Sequence, residues 1–188
     1  MAIERSEILI TIGRIVSILG AQGVSFHLTG GLAMVFYGEP RVTQDIDLVV
    51  RLSDDGGKLS ALLKALTPEF LVDASAMKDA VRRKGLFQAL DNETFVKVDF
   101  HVGEGVPGEL SRSCIVEIEQ GFEVPIVSRE DAILSKLLWI KKGSGRSRDD
   151  LAAMLRRKDP FDVEYVERQA AALDVGEIWQ ELKGKAAK

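Results

Sequence analysis

"TGGLAMVFYGEPRVTQDIDLVV" runs from Thr29 to Val50 and decides how the rest of the chain is read. Two adjacent glycines, Gly30 and Gly31, stand ahead of an Asp-Ile-Asp at 45–47. Before them, "VSFHLT" (24–29) has the composition of a short strand. After them, "GLAMVFYG" (31–38) suits a short helix that ends at Gly38, with Pro40 beyond it. "DIDLVVR" (45–51), rich in branched apolar residues, is a second strand. Glycines at a strand-to-helix junction let the backbone approach a ligand closely, and the free N–H groups of the helix favour an anion. They also serve in any tight turn, so alone they decide little. Thr29 either adds a hydroxyl donor or caps the helix.

Strand periodicity sorts the carboxylates. Asp45 and Asp47 are two apart and share one face, while Ile46 and Leu48 share the other. In "TFVKVDFHV" (94–102), Val96, Val98 and Phe100 share a face, and Lys97, Asp99 and His101 share its opposite. If the two strands are neighbours, Asp45, Asp47 and Asp99 converge. Like charges at close range repel unless a cation offsets them. An oxygen-only set suits Mg²⁺ or Mn²⁺ together with substrate phosphates. Among the neighbours, Lys97 is expected as a surface or supporting cation, and His101 and His27 as ordinary structural histidines.

Outward from this stretch, the chain has 188 residues, 46% hydrophobic and 29% charged, enough for one globular domain with a buried core. Its net charge of −4 argues against a generally basic nucleic-acid binder. No apolar run is long enough to span a bilayer, and nothing near Glu4 and Glu7 reads as a secretory signal. Cys114 is the only cysteine, which excludes an internal disulfide and fits the cytoplasm; it is expected to be a half-buried thiol. No repeat or low-complexity tract interrupts the pattern.

Helical spacing marks 6–20, 57–66 and 75–85. Strands are expected at 86–90 and 94–102 around an Asp91-Asn92 turn, and at 114–118 and 122–127. From Ser128 the period becomes helical and stays so, through "SREDAILSKLLWIKK", "RDDLAAMLRRK", "DVEYVERQAAAL" and "GEIWQELKGK". Ser128 and Asp131 stand near a capping-box arrangement. The expected fold class is α/β (α+β): a mixed sheet flanked by helices over 1–127, with a helical section at 128–188 packed on it as one compact unit. Trp139 and Trp179 fall in helical apolar patterns and read as core. Between Arg129 and Lys158 nine Lys/Arg face four acids, which suits a triphosphate or RNA as well as a solvated helix face.

Together, Gly30-Gly31, Asp45-Ile46-Asp47 and Asp99 resemble the signature of the DNA polymerase β nucleotidyltransferase superfamily. The stretch is most similar to the minimal bacterial branch of AbiEii-type toxin nucleotidyltransferases, in which an Arg-x-Thr precedes the Asp-x-Asp, as Arg41-Val42-Thr43 does here. "SREDAILSKLLW" resembles the downstream helix whose lysine reaches substrate phosphates, matching Lys136. "RSRDDLAAML" resembles a further segment, matching Arg148, Asp149 and Asp150. The resemblance covers most of 25–155. Gly31 stands where many members carry serine, which removes a hydroxyl donor.

The resemblance implies a polymerase β-like fold and transfer of an NMP from an NTP to an acceptor hydroxyl with release of pyrophosphate. It implies Asp45, Asp47 and Asp99 as catalytic metal ligands for Mg²⁺ or Mn²⁺. It implies Thr29, Gly30, Gly31, Arg41, Thr43, Lys136 and Arg148 around the nucleotide phosphates, although Arg41 equally suits bracing a carboxylate. An RNA, tRNA or protein acceptor and an antitoxin partner follow from the toxin branch. A small-molecule acceptor, as in antibiotic nucleotidyltransferases, and a non-catalytic nucleotide- or RNA-binding module stay open, as does the oligomeric state.

Overall fold

In a computed structural model that describes residues 6–39 and 43–186, the sheet is built around the Asp-Ile-Asp strand. Its seven strands are β1 (Ser25–Thr29), β2 (Asp45–Arg51), β3 (Phe70–Val72), β4 (Leu86–Asp91), β5 (Lys97–Val102), β6 (Cys114–Glu119) and β7 (Phe122–Ile126). Their order is β3-β4-β5-β2-β1-β7-β6. β2 pairs parallel with β5 and β1 parallel with β7, and the other pairs are antiparallel, so the sheet is mixed as expected. β3 escaped the sequence reading. Three residues are too few to show a period, and only pairing with β4 makes them a strand.

Among the described residues eight α-helices accompany the sheet: α1 (Glu7–Ala21), α2 (Gly30–Tyr37), α3 (Lys58–Leu66), α4 (Ala74–Arg83), α5 (Arg129–Lys141), α6 (Gly145–Arg156), α7 (Val163–Ala172) and α8 (Gly176–Ala186). Their starts are chemically marked. Ser6, Asp73, Ser128, Ser144 and Asp162 each accept a hydrogen bond from a first-turn N–H and satisfy a donor the helix leaves free. Ser144 starts α6 at Gly145, three residues before the expected Arg148.

The apolar face of the strands supplies Ile46, Leu48, Val50, Val98 and Phe100, all fully buried in one core with Ile12, Ile15 and Leu19 of α1 and Leu62 and Leu66 of α3. Phe87 and Phe100 stack across β4 and β5 with ring centroids 4.5 Å apart. The C-terminal helices enclose a further part of this core around Leu134, Leu137, Leu151, Met154, Val166 and Trp179.

Asp131 corrects the capping reading. Its N–H bonds Ser128 Oγ, but its carboxylate receives Arg112 at 2.9 and 3.0 Å and the Tyr165 hydroxyl at 2.9 Å. It therefore ties α5 to the turn before β6 and to α7. Cys114 is exposed rather than half-buried. No helix among the described residues is long and apolar enough to cross a membrane.

Candidate active site

The parallel register of β2 and β5 sets Asp45 beside Lys97, Asp47 beside Asp99, and Val49 beside His101. Antiparallel pairing sets Thr29 beside Asp47 on the other side and Gln88 beside Asp99. Side chains two apart on a strand share a face. One face of four adjacent strands therefore gathers Thr29, Asp45, Asp47, Asp99, Lys97, His101 and Gln88, the convergence that the alternation of residues allowed.

Each carboxylate is held differently. Asp45 Oδ1 accepts the Thr43 hydroxyl at 3.1 Å. Asp47 Oδ1 lies 3.3 Å from His101 Nε2. Asp99 accepts Gln88 Nε2 at 2.9 Å on one oxygen and Lys97 Nζ at 3.0 Å on the other. The same Lys97 ammonium is 3.7 Å from Asp45, so it stands between two of the three carboxylates. Burial pushes the Asp47 carboxyl up. His101, the Gly31 N–H and the charge of Lys136 outweigh that and hold it below the ordinary carboxylate range. Lys97 is raised above its usual value, chiefly by its hydrogen bond to Asp99.

The glycines meet this cluster directly. Gly30 opens α2 with φ near +60°, and a Cβ there would lie 1.8 Å from Asp47 Oδ2. Only glycine satisfies both the backbone and the space. Thr29 is the N-cap of α2, but its hydroxyl makes no capping bond.

These groups open into a cleft of about 640 Å³. Thr29, Gly30, Gly31, Asp45 and Asp47 line one wall. Ala132, Ser135, Lys136 and Trp139, recurring along one face of α5, line another, with Arg146, Ser147 and Asp150 of α6 beside them. Lys136 Nζ bonds Asp150 at 2.6 Å, an ion pair almost wholly removed from water. Asp150 rather than Asp149 is thus the acid of the "RSRDDL" segment that faces the cleft. Asp99 does not line it.

Arg148 is placed away from the cleft, with its guanidinium on Glu181 of α8 at 2.9 Å. Arg41, expected near the phosphates, lies outside the described residues. Trp139, read as core, is 44% exposed and faces the cleft, whereas Trp179 is buried at 1% as expected. His101, read as ordinary, is the direct partner of Asp47; its position on the Asp99 face was the available signal. His27 is fully buried, with Nδ1 2.9 Å from Ser113 Oγ and Nε2 3.6 Å from Glu109, and helps anchor the loop after β5.

Among the described residues, no three His, Cys, Asp or Glu side chains are drawn together tightly enough to enclose a metal ion. The chemistry of the donors nevertheless fits a hard divalent cation. They are carboxylate oxygens on one face of adjacent strands, and the Lys97 ammonium already stands between two of them.

Residues 17–186 match the family described as "Nucleotidyl transferase AbiEii toxin, Type IV TA system". The chain belongs to the AbiEii family. No curated protein matches it significantly in sequence. Among solved structures it is similar to an antigenic nucleotidyltransferase-like protein from Paracoccidioides brasiliensis, at 16% identity and TM-score 0.54, covering 94% of this chain and 91% of that one. It is also similar to the antibiotic-resistance factor ANT(2'')-Ia in solution, at 16% identity and TM-score 0.58, covering 92% and 94%. The crystal structure of ANT(2")-Ia with adenylyl-2"-tobramycin gives the same identity and TM-score, covering 90% and 98%. The AbiEii chain thus has the nucleotidyltransferase fold, in accord with the polymerase β-type superfamily.

Proposed function

We propose that this AbiEii-family protein transfers an NMP from an NTP to a hydroxyl of an RNA acceptor, tRNA included, and releases pyrophosphate. The observation that carries this reading is the in-register pair Asp47 and Asp99 across β2 and β5, with the Gly30-Gly31 start of α2 against Asp47. In the transfer, the acceptor oxygen bonds the α-phosphorus, the bond from that phosphorus to the α,β-bridging oxygen breaks, and the electron pair leaves with pyrophosphate. Such chemistry depends mostly on positioning and charge neutralisation.

Asp45, Asp47 and Asp99 would hold Mg²⁺ or Mn²⁺, which when bound would neutralise the negative charge on the triphosphate. Asp99, which lies just behind the cleft lining, takes the proton of the acceptor hydroxyl on the oxygen that Lys97 gives up when the cation and substrate bind, while Gln88 orients the other oxygen. The first turn of α2 and Lys136 meet the phosphates, and Thr43 fixes the orientation of Asp45. His101 holds Asp47 ionised. Arg148, held by Glu181, takes no part in binding the phosphates.

The family to which the chain belongs supports a biological role as the toxin of a type IV pair, acting in the cytoplasm with an antitoxin encoded nearby. The fold shared with ANT(2'')-Ia, at 16% identity, speaks to architecture and leaves the acceptor to experiment.

The test is transfer of α-phosphate label from each NTP, with Mg²⁺, to total RNA, to protein and to an aminoglycoside. Label in RNA that disappears in Asp45→Asn and Asp47→Asn supports the proposal. Label in the aminoglycoside alone selects the antibiotic-type reading. NTP binding without transfer to any acceptor selects a non-catalytic module.

A further inference from the structure

Cations on the C-terminal helices divide into two sets. Of the nine Lys/Arg between Arg129 and Lys158, six hold a carboxylate: Arg129, Lys136, Lys141, Arg148, Arg156 and Arg157. The other three, Lys142, Arg146 and Lys158, form no salt bridge among the described residues, and of these Lys142 and Arg146 line the cleft. Lys84, which closes α4 in a left-handed conformation, also lines the cleft and has no such partner among the described residues. Asp45, Asp47, Glu104, Glu109 and Asp150 also line the cleft, so these three cations do not make it positive as a whole; they are donors without a carboxylate of their own that a phosphate can meet.

Trp139 lines the same cleft. It is 44% exposed, although tryptophan is ordinarily well buried. The Lys142 ammonium stands 4.7 Å from its ring centroid, and His101 meets its edge with centroids 6.3 Å apart. His101 also contacts Asp47, so one side chain separates the indole from the candidate reaction centre. An aromatic surface beside cations that hold no carboxylate, within reach of phosphoryl chemistry, is the combination that binds unpaired nucleotides. The ring stacks on the base and the cations meet the phosphates.

We infer that Trp139, with Lys142, Arg146 and Lys84, is a stacking platform for an unpaired nucleobase with its phosphate, supplied by the NTP or by a single-stranded RNA acceptor. This rests on the nucleotidyltransferase reading of the cleft, but it concerns binding and is measured without turnover. The chain has only two tryptophans, and the other is buried. The Trp179→Phe protein therefore reports on Trp139 alone by fluorescence.

It is titrated separately with an NTP analogue whose α,β-bridging atom is carbon, with a short single-stranded RNA, and with an abasic strand of the same length. Saturable quenching by the analogue assigns the platform to the incoming nucleotide. Quenching by the RNA but not by the abasic strand assigns it to the acceptor. Either outcome supports the inference.

In the otherwise wild-type protein, Trp139→Ala is expected to weaken binding of the quenching ligand about ten-fold, with Trp139→Phe retaining most of it. Binding is followed by anisotropy of a labelled ligand, and circular dichroism checks the fold of each variant. Quenching by neither ligand, quenching by the RNA and the abasic strand alike with none by the analogue, or unchanged affinity in folded Trp139→Ala overturns the inference. Loss of transfer in every assay, with quenching intact, would instead overturn the nucleotidyltransferase reading and leave the platform standing.

Discussion

Asp91 and Asp47 are both aspartates on neighbouring parts of one sheet, and their surroundings differ in kind. Asp91, at the end of β4, is wholly buried and saturated. It accepts the Thr11 hydroxyl at 3.0 Å, Arg14 at 3.0 Å, and the N–H groups of Glu93 and Thr94 at 2.9 and 3.1 Å. These donors pin α1 and the β4–β5 turn to the sheet. Asp47 instead faces the cleft, held by His101, the Gly31 N–H and the more distant charge of Lys136. A structural carboxylate is enclosed by donors that belong to the fold. A carboxylate kept for chemistry meets side chains that a ligand can rearrange, at the edge of a space the ligand can enter.

Asparagine at the cleft should break that contrast most sharply. Asp45→Asn or Asp47→Asn is expected to lower nucleotide transfer more than about a hundred-fold, the scale on which charge-stabilising groups at reaction centres act. Urea unfolding should move less than in Asp91→Ala, since asparagine keeps the shape of the side chain and an oxygen to accept from His101 or the Gly31 N–H.

Asp91→Ala should do the reverse. Removing a buried carboxylate that accepts four donors costs about 3 kcal/mol, and leaves Arg14 with only Glu93 and Glu69 and Thr11 with only Thr94. Transfer per folded molecule should be unchanged. The pH dependence sharpens the point. Burial raises Asp91, but the two N–H groups, Thr11 and Arg14 outweigh it and hold it below the ordinary range. A depressed folded value means that Asp91 contributes stability above the unfolded value of about 4 and loses it as pH falls through the folded one. Denaturation midpoints measured from neutral pH downward should therefore drop less steeply in Asp91→Asn than in the wild type.

Gly30→Ala tests where the fold and the site meet. A side chain at φ near +60° is strained, and its Cβ would collide with Asp47 Oδ2. A loss of about 1–2 kcal/mol in stability is expected, together with a fall in transfer larger than that destabilisation accounts for.

The smallest change is expected from Lys97→Met. Lys97 is partly exposed, so its pairs with Asp99 and Asp45 contribute little to stability. Its removal leaves two carboxylates without their shared cation. Mg²⁺ or Mn²⁺ should then raise the melting temperature more than in the wild type, as read by differential scanning fluorimetry without substrate. An equal or smaller rise would show that Lys97 does not share the cation position.

The stretch from Thr29 to Val50 carried most of what the amino-acid sequence determined. Alternation of apolar and polar residues put Asp45 and Asp47 on one face of a strand, and the same rule put Asp99 on a matching face. Glycines at a strand-to-helix junction announced a close approach. These signals are local, because side-chain direction along a strand and the freedom of glycine need no distant partner.

Tertiary structure decided everything that depends on which strands are neighbours and which helix faces which wall. It placed Asp47 level with Asp99. It set Gly30 against Asp47, with the next amide, that of Gly31, reaching the carboxylate. It made His101 a partner of Asp47, moved Trp139 from the expected core to the cleft, and sent Arg148 to Glu181. An amphipathic pattern says that one face of a helix is covered. Whether a residue at the margin of that face meets core, solvent or a ligand cleft depends on the packing of α5 against α6, α7 and α8, and no local pattern records that.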